Sequence, residues 1–123
     1  MKIINWILQR YYRIFFHLNV QIKWKKTDLH SFYGFRKYLL QKGNKKVLVS
    51  YTNYNDINGV PIFEGSILAF ENDYSCTFVV YFNTKIKEWK YRNRHSKLTY
   101  SLNTINYNKY QPQLVVIGNK YLP

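Results

Sequence analysis

The chain has 123 residues, with 19 Lys or Arg against 6 Asp or Glu, a formal net charge of +13 and 24 aromatic side chains. That length is one domain's worth, enough to bury somewhat over ~60% of the chain's surface, and the aromatic content excludes a disordered chain. A lone Cys76 excludes an internal disulfide and fits a reducing cytosol.

From the start, Ile3, Ile7, Tyr11, Ile14 and Leu18 recur at helical spacing, which predicts an amphipathic helix over Met1 to Phe16. Arg10 and Arg13 interrupt its apolar run, leaving it too short to span a bilayer and unlike a signal-peptide core. Three roles stay open: packing on the domain's sheet, binding a partner or second copy, and lying on a membrane surface through Trp6, Phe15 and Phe16. The chain thus divides into an N-terminal extension, 1–19, and a β domain, 20–123.

Val20, Ile22 and Trp24 alternate with Gln21, Lys23 and Lys25, the pattern of a half-buried strand. Thr27-Asp28 suits a turn, and Phe32 to Leu40 reads as the next strand, with Gly34 a bulge or a close approach. Gln41 to Lys45 has hairpin-loop composition, and Val47-Leu48-Val49 opens another strand. Then comes the densest turn signal, Asp56-Ile57-Asn58-Gly59-Val60-Pro61-Ile62-Phe63-Glu64-Gly65-Ser66-Ile67. Asn58-Gly59 predicts a primed turn with positive φ at both residues, Pro61 marks a sheet edge or strand start, and Gly65 lets the backbone bend. Glu64 is expected to accept main-chain N–H groups around Gly65. Glu71-Asn72-Asp73 is a further turn, Thr77 to Phe82 a strand covered on both faces, and Lys85 to Arg94 its hairpin partner. Leu98, Tyr100 and Leu102 alternate again, Asn103 to Tyr110 is a loop or one helical turn, and Gln113 to Gly118 is the closing strand. The fold class is therefore mainly β with a minor N-terminal helix, as curved antiparallel sheets or a small barrel of short strands.

The central motif resembles the YopX family of small proteins from phages and mobile elements, whose members read Tyr-Thr-Gly and then Asp-x-Asn-Gly-x-x-Ile-Tyr-Glu-Gly-Asp-Ile. Here those stretches are Tyr51-Thr52-Asn53 and Asp56 through Ile67. Ile22-Lys23-Trp24, Phe32-Tyr33-Gly34 and the closing Val116-Ile117-Gly118-Asn119-Lys120-Tyr121 extend the likeness over about residues 20–123. Ser66 stands where the family has Asp and is expected to do part of its work. The resemblance implies a mostly β domain with Asp56, Asn58, Gly59, Glu64, Gly65, Ser66 and Gly118 as its structural motif. It carries over no catalytic residue.

Charge is segregated. Residues 1–50 hold eleven Lys or Arg and one acid, residues 51–84 four acids and no Lys or Arg, and residues 85–97 six Lys or Arg and one acid. Such a field attracts polyanions, although AT-rich coding raises lysine counts without any function. The sharpest candidate is Lys87, Trp89, Lys90, Tyr91, Arg92 and Arg94. With the aromatics inward, the other face is a basic ladder at ~7 Å per same-face step, near the phosphate spacing of a single strand. With them outward, Trp89 and Tyr91 stack on unpaired bases; the plain alternative is a hairpin face kept soluble by charge. Lys23, Lys25, Arg36 and Lys37 form a second cluster that joins the first if their strands are neighbours.

The three histidines and Cys76 are scattered rather than at metal-ligand spacing, and no phosphate loop or nucleophile elbow occurs. No metal, cofactor or enzymatic activity is expected. The expected function is a non-enzymatic nucleic-acid or nucleoprotein-binding module. The alternative is a counter-defence protein that binds and inhibits a host complex. Nothing in the sequence sets the oligomeric state.

Overall fold

The computed structural model describes residues 12–17, 20–107 and 113–123, with side chains described from Lys25 onward apart from 108–112. Among the described residues ten strands carry the fold: β1 Tyr12–His17, β2 Val20–His30, β3 Arg36–Lys42, β4 Lys45–Asn55, β5 Pro61–Phe63, β6 Ser66–Phe70, β7 Asp73–Asn83, β8 Glu88–Asn93, β9 Thr99–Ser101 and β10 Leu114–Asn119. A single 3₁₀ turn, Leu102–Thr104, follows β9.

All pairings are antiparallel, and they make two five-stranded sheets ordered β1-β2-β3-β4-β5 and β10-β6-β7-β8-β9. Each is a meander, except that β10 returns to lie beside β6. Among the described residues the two sheets share no ladder, so the curved-sheet expectation holds and the small barrel does not. The three-residue strands β5 and β9 end one edge of each sheet and leave no partner for closure.

The expected N-terminal helix is also corrected. Tyr12–His17 is a strand whose register with β2 runs from Tyr12 opposite Lys25 to His17 opposite Val20. Aromatic and β-branched residues dominate this piece, and a partner strand two residues away satisfies its backbone at once, so pairing overrides a weak helical period. Residues 1–11, the rest of that expected helix, lie outside the described residues.

Two turns fall elsewhere than expected. Thr27-Asp28 lies within β2, at its register shift against β3, where Thr27 Oγ1 donates to the Lys37 carbonyl at 2.7 Å. The turn comes later, at Ser31 to Phe35, so β3 begins at Arg36 rather than Phe32. Ser31 Oγ and carbonyl accept the N–H groups of Phe35 and Gly34 at 3.0 and 2.9 Å.

The core lies between the sheets. Tyr38, Leu40, Val49 and Phe63 from one meet Leu68, Phe78, Val80, Trp89, Tyr91 and Val116 from the other. Leu40, Ile62, Phe63, Leu68 and Val80 are buried, each worth about 1.5–3 kcal/mol of transfer free energy. Edge-to-face rings add to this, as in Tyr38–Phe63 at 5.5 Å and Phe35–Trp89 at 5.2 Å, at about 0.5–1.5 kcal/mol per pair.

The Asp56–Ser66 motif ties the two sheets together. The Gly59 N–H donates to the Asp56 carbonyl at 3.0 Å, and only Gly59 is left-handed, at φ +78. The turn is therefore centred on Ile57-Asn58 and closed by a left-handed glycine, not a primed turn on Asn58-Gly59. The buried Asp56 carboxylate accepts the N–H groups of Asn58 and Val60 through Oδ1 and of Val116 in β10 through Oδ2, each at 2.9 Å. At Gly65, φ is +83 and an added Cβ would lie 2.6 Å from the Tyr121 ring. Ser66 Oγ accepts the Phe63 N–H at 2.8 Å, the acceptor role expected of an Asp there. The N–H acceptors of this motif are thus Asp56 and Ser66. Glu64 instead contributes its main chain, with its N–H donating to the Ser50 carbonyl at 2.9 Å and its carbonyl accepting Asn119 Nδ2 at 3.0 Å. Gly118 lies in β10 beside a register shift with open space where a Cβ would stand.

Candidate functional site

Strand β8 has two unlike faces. Trp89 and Tyr91 are buried in the interlayer core, paired across β7 with Phe82 and Val80. Alternation then turns Lys90 and Arg92 away from the core; Arg92 is exposed and Lys90 half-buried. Of the two orientations open in the sequence, the structure has the aromatics inward and the cations outward.

The β8 stripe is extended at both ends by turns of one design. After β7, Asn83 Oδ1 accepts the N–H groups of Lys85 and Ile86 at 3.0 and 3.3 Å, and the four-residue loop ends at left-handed Lys87, φ 53. After β8, Asn93 Oδ1 accepts those of His95 and Ser96 at 2.8 and 3.0 Å, and the loop ends at left-handed Lys97, φ 66. Asn-x-x-x-Lys therefore occurs twice, as Asn83 to Lys87 and as Asn93 to Lys97. The left-handed conformation costs a side-chain-bearing residue about 1–2 kcal/mol, which glycine avoids. Both turns put an exposed lysine in it. With Lys85 and Arg94 also exposed, six cations lie on β8 and its two turns, the strand from Glu88 to Asn93 itself being about 17 Å long at ~3.3 Å per residue.

The acid on this line is Glu88, which by alternation faces the same way as Lys90 and Arg92. Glu88 accepts a hydrogen bond from the Ser101 hydroxyl on β9. Among the described residues the ion pair of the molecule is Arg36 with Asp28, 3.5 Å apart, in the other sheet. The Arg92 guanidinium instead lies 5.5 Å from the Tyr81 ring centre, a cation–π contact that steadies it while leaving it exposed.

The second expected cluster does not join the first. Lys25 pairs with Leu39 and Lys37 with Ser50, both within the β1–β5 sheet, and neither β2 nor β3 pairs with β8. Lys25 is exposed, Lys37 half-buried, and Lys23 holds a register position opposite Gln41. Lys37 alternates with the buried Tyr38, so it faces away from the shared core, as Lys90 does on its own sheet. Arg36 is engaged by Asp28 and lies 3.5 Å from His30 Nε2.

Trp89 carries a further feature. It is 6% exposed, and its Nε1–H is buried without an acceptor, a desolvation cost of about 1–3 kcal/mol. Two tyrosines have hydroxyls shifted upward. Tyr91 is raised by burial, partly offset by a hydrogen bond with Thr104; Tyr51 is raised by burial and by nearby Tyr38, partly offset by Asn55.

Sequence reasoning missed Asn53, at φ 70 in the register shift between β4 and β5. The signal was present: the family pattern has glycine where this chain has Asn53, and asparagine is the other residue that enters the left-handed region readily. Among the described residues no three His, Cys, Asp or Glu side chains gather into a metal-binding group. Nor is any helix there long and apolar enough to cross a membrane.

No curated protein matches the chain, and no solved structure does. The sequence model of the family described as YopX protein matches residues 10–122. With that match spanning nearly all of a two-sheet β domain built on the Asp56–Ser66 knot, the chain belongs to the YopX family.

Proposed function

We propose that this chain is a non-enzymatic binding protein of a phage or mobile element, acting in the bacterial cytoplasm, whose β8 surface takes the phosphate backbone of a nucleic acid, alone or within a nucleoprotein. One observation carries the reading. Lys85, Lys87, Lys90, Arg92, Arg94 and Lys97 follow one strand and its two turns, none within ion-pair reach of an acid among the described residues. The Lys23, Lys25, Arg36 and Lys37 group lies in the other sheet and serves as a secondary contact at most.

Binding through phosphates releases counterions, so affinity falls steeply and linearly in log–log form as salt rises. Titration with single- and double-stranded nucleic acid at two salt concentrations tests this. Negligible affinity at low salt, or affinity that ignores salt, defeats the reading.

A second reading rests on a different place. At the end of β2 and in the turn after it, Leu29 is 57% and Phe32 96% exposed, the type of anchor that protein interfaces use. On this reading the chain binds and inhibits a host or defence complex. Partners retained from host lysate after nuclease treatment, and lost on Phe32→Ala, favour it over the first.

A further inference from the structure

The interlayer space is not filled beside the β7–β8 turn. A cleft of about 500 Å³ opens there between the two sheets, within the ~300–1,000 Å³ typical of small-molecule sites. Its inner wall is aromatic, buried Trp89 with half-buried Phe35 and Phe82: Phe82 and Trp89 lie 5.0 Å apart, Phe35 and Trp89 5.2 Å, Phe35 and Phe82 5.3 Å. Its exposed lining includes Asn53, Lys87 and Asn103. Two of these, Asn53 and Lys87, are left-handed non-glycine residues, and Trp89 in the wall holds a buried N–H without an acceptor. Unfavourable conformations and unsatisfied donors collect where function maintains them, and here three surround one cavity.

Lys87 both ends the β8 stripe and lines the cleft, so a chain of phosphates that follows the outer face of β8 and rounds the β7–β8 turn reaches it. We propose that the cleft receives one unpaired nucleobase of the bound strand. Its ring lies against the Phe35–Phe82–Trp89 wall, the amides of Asn53 and Asn103 meet its polar edge, and Lys87 holds the adjoining phosphate. This rests on the phosphate-binding reading of β8 and adds to it a place for a base. An aromatic wall also suits a quaternary ammonium ion, and Glu88 in the lining would favour one, but Lys87 at the mouth and the +13 net charge oppose a cation.

The test uses the full chain, a short oligodeoxythymidylate and the abasic strand of equal phosphate count. Removal of the bases is expected to weaken binding at least about fivefold, the low end of base–aromatic stacking, with the salt slope unchanged. Asn103→Ala and Asn53→Gly, both at exposed positions, are expected to narrow that difference at constant salt slope. Equal affinity for the two strands with a full salt slope overturns the cleft proposal and leaves the β8 reading standing. No salt-dependent binding of either strand removes both. Tryptophan fluorescence that responds to choline but not to thymidine monophosphate overturns the proposal in favour of an ammonium pocket.

Discussion

The turn after β4 and the two turns flanking β8 obey the same local rule and end in opposite uses. Each starts with a residue whose side-chain oxygen accepts two main-chain N–H groups: Asp56, Asn83 and Asn93. Each closes on a left-handed residue: Gly59, Lys87 and Lys97. At the first turn the acceptor is charged, buried and bonded onward to β10, and the left-handed position has the residue that fits it without strain. At the β8 turns the acceptor is neutral and the left-handed position has an exposed cation. The acid faces inward and holds two sheets together; the lysines stand exposed, at a conformational cost.

The contrast breaks most visibly at Asp56. Asp56→Ala strands three N–H groups, two of them from buried residues, and is expected to cost about 3–5 kcal/mol, read as the shift in urea midpoint. A loss under about 1 kcal/mol would mean that the carboxylate does not bind the sheets together. Next, Gly65→Ala and Gly59→Ala separate conformation from crowding. Both residues are left-handed, but a Cβ at Gly65 meets the Tyr121 ring whereas one at Gly59 meets nothing within 4 Å. The expected costs are about 3 and about 1 kcal/mol, and equal costs would refute the close packing at Gly65.

Reversing Lys90 and Arg92 to Glu is expected to weaken nucleic-acid binding by at least about tenfold and flatten its salt dependence. Stability should move by no more than about 1 kcal/mol per site, since Lys90 is half-buried and Arg92 gives up its contact with the Tyr81 ring. Lys87→Gly and Lys97→Gly sharpen the contrast from the other side. Each is expected to stabilise the fold by up to about 1 kcal/mol by relieving a left-handed side chain, while weakening phosphate binding. Stabilisation with unchanged binding would make the lysines incidental.

The smallest effect is on pH. Burial holds the Tyr51 and Tyr91 hydroxyls above the ordinary 10.0, so the folded state binds their protons more tightly than the unfolded chain does. Their contribution is complete below pH 10 and is lost as pH rises through the folded values. Tyr91→Phe is expected to lessen alkaline destabilisation measured between pH 9 and about pH 11; an unchanged profile would remove Tyr91 from the account.

Patterns of two or three residues carried much of this fold. Pro61 starts edge strand β5, Val79 and its neighbours Phe78 and Val80 are buried in succession on β7, and Leu114–Asn119 closes the second sheet. Tyr12–His17 was misjudged because a short run of aromatic and β-branched residues meets either period, and the β2 partner that decides between them is a tertiary fact. The two Asn-x-x-x-Lys turns were legible as turns but not as left-handed lysines, since composition does not record φ.

What the sequence by itself determined is the kind of layer: alternating apolar residues, turn residues at hairpin spacing and segregated charge specify half-buried antiparallel strands with cations near β8. Tertiary structure alone decided which side of β8 faces water, because the alternation of Trp89 and Tyr91 with Lys90 and Arg92 is equally satisfied either way until a second sheet arrives to cover one face. It also decided that the two basic clusters lie in different sheets, and that Asp56 reaches Val116, sixty positions away in sequence. Such long-range contacts follow from how two sheets stack, which local residue pattern does not encode.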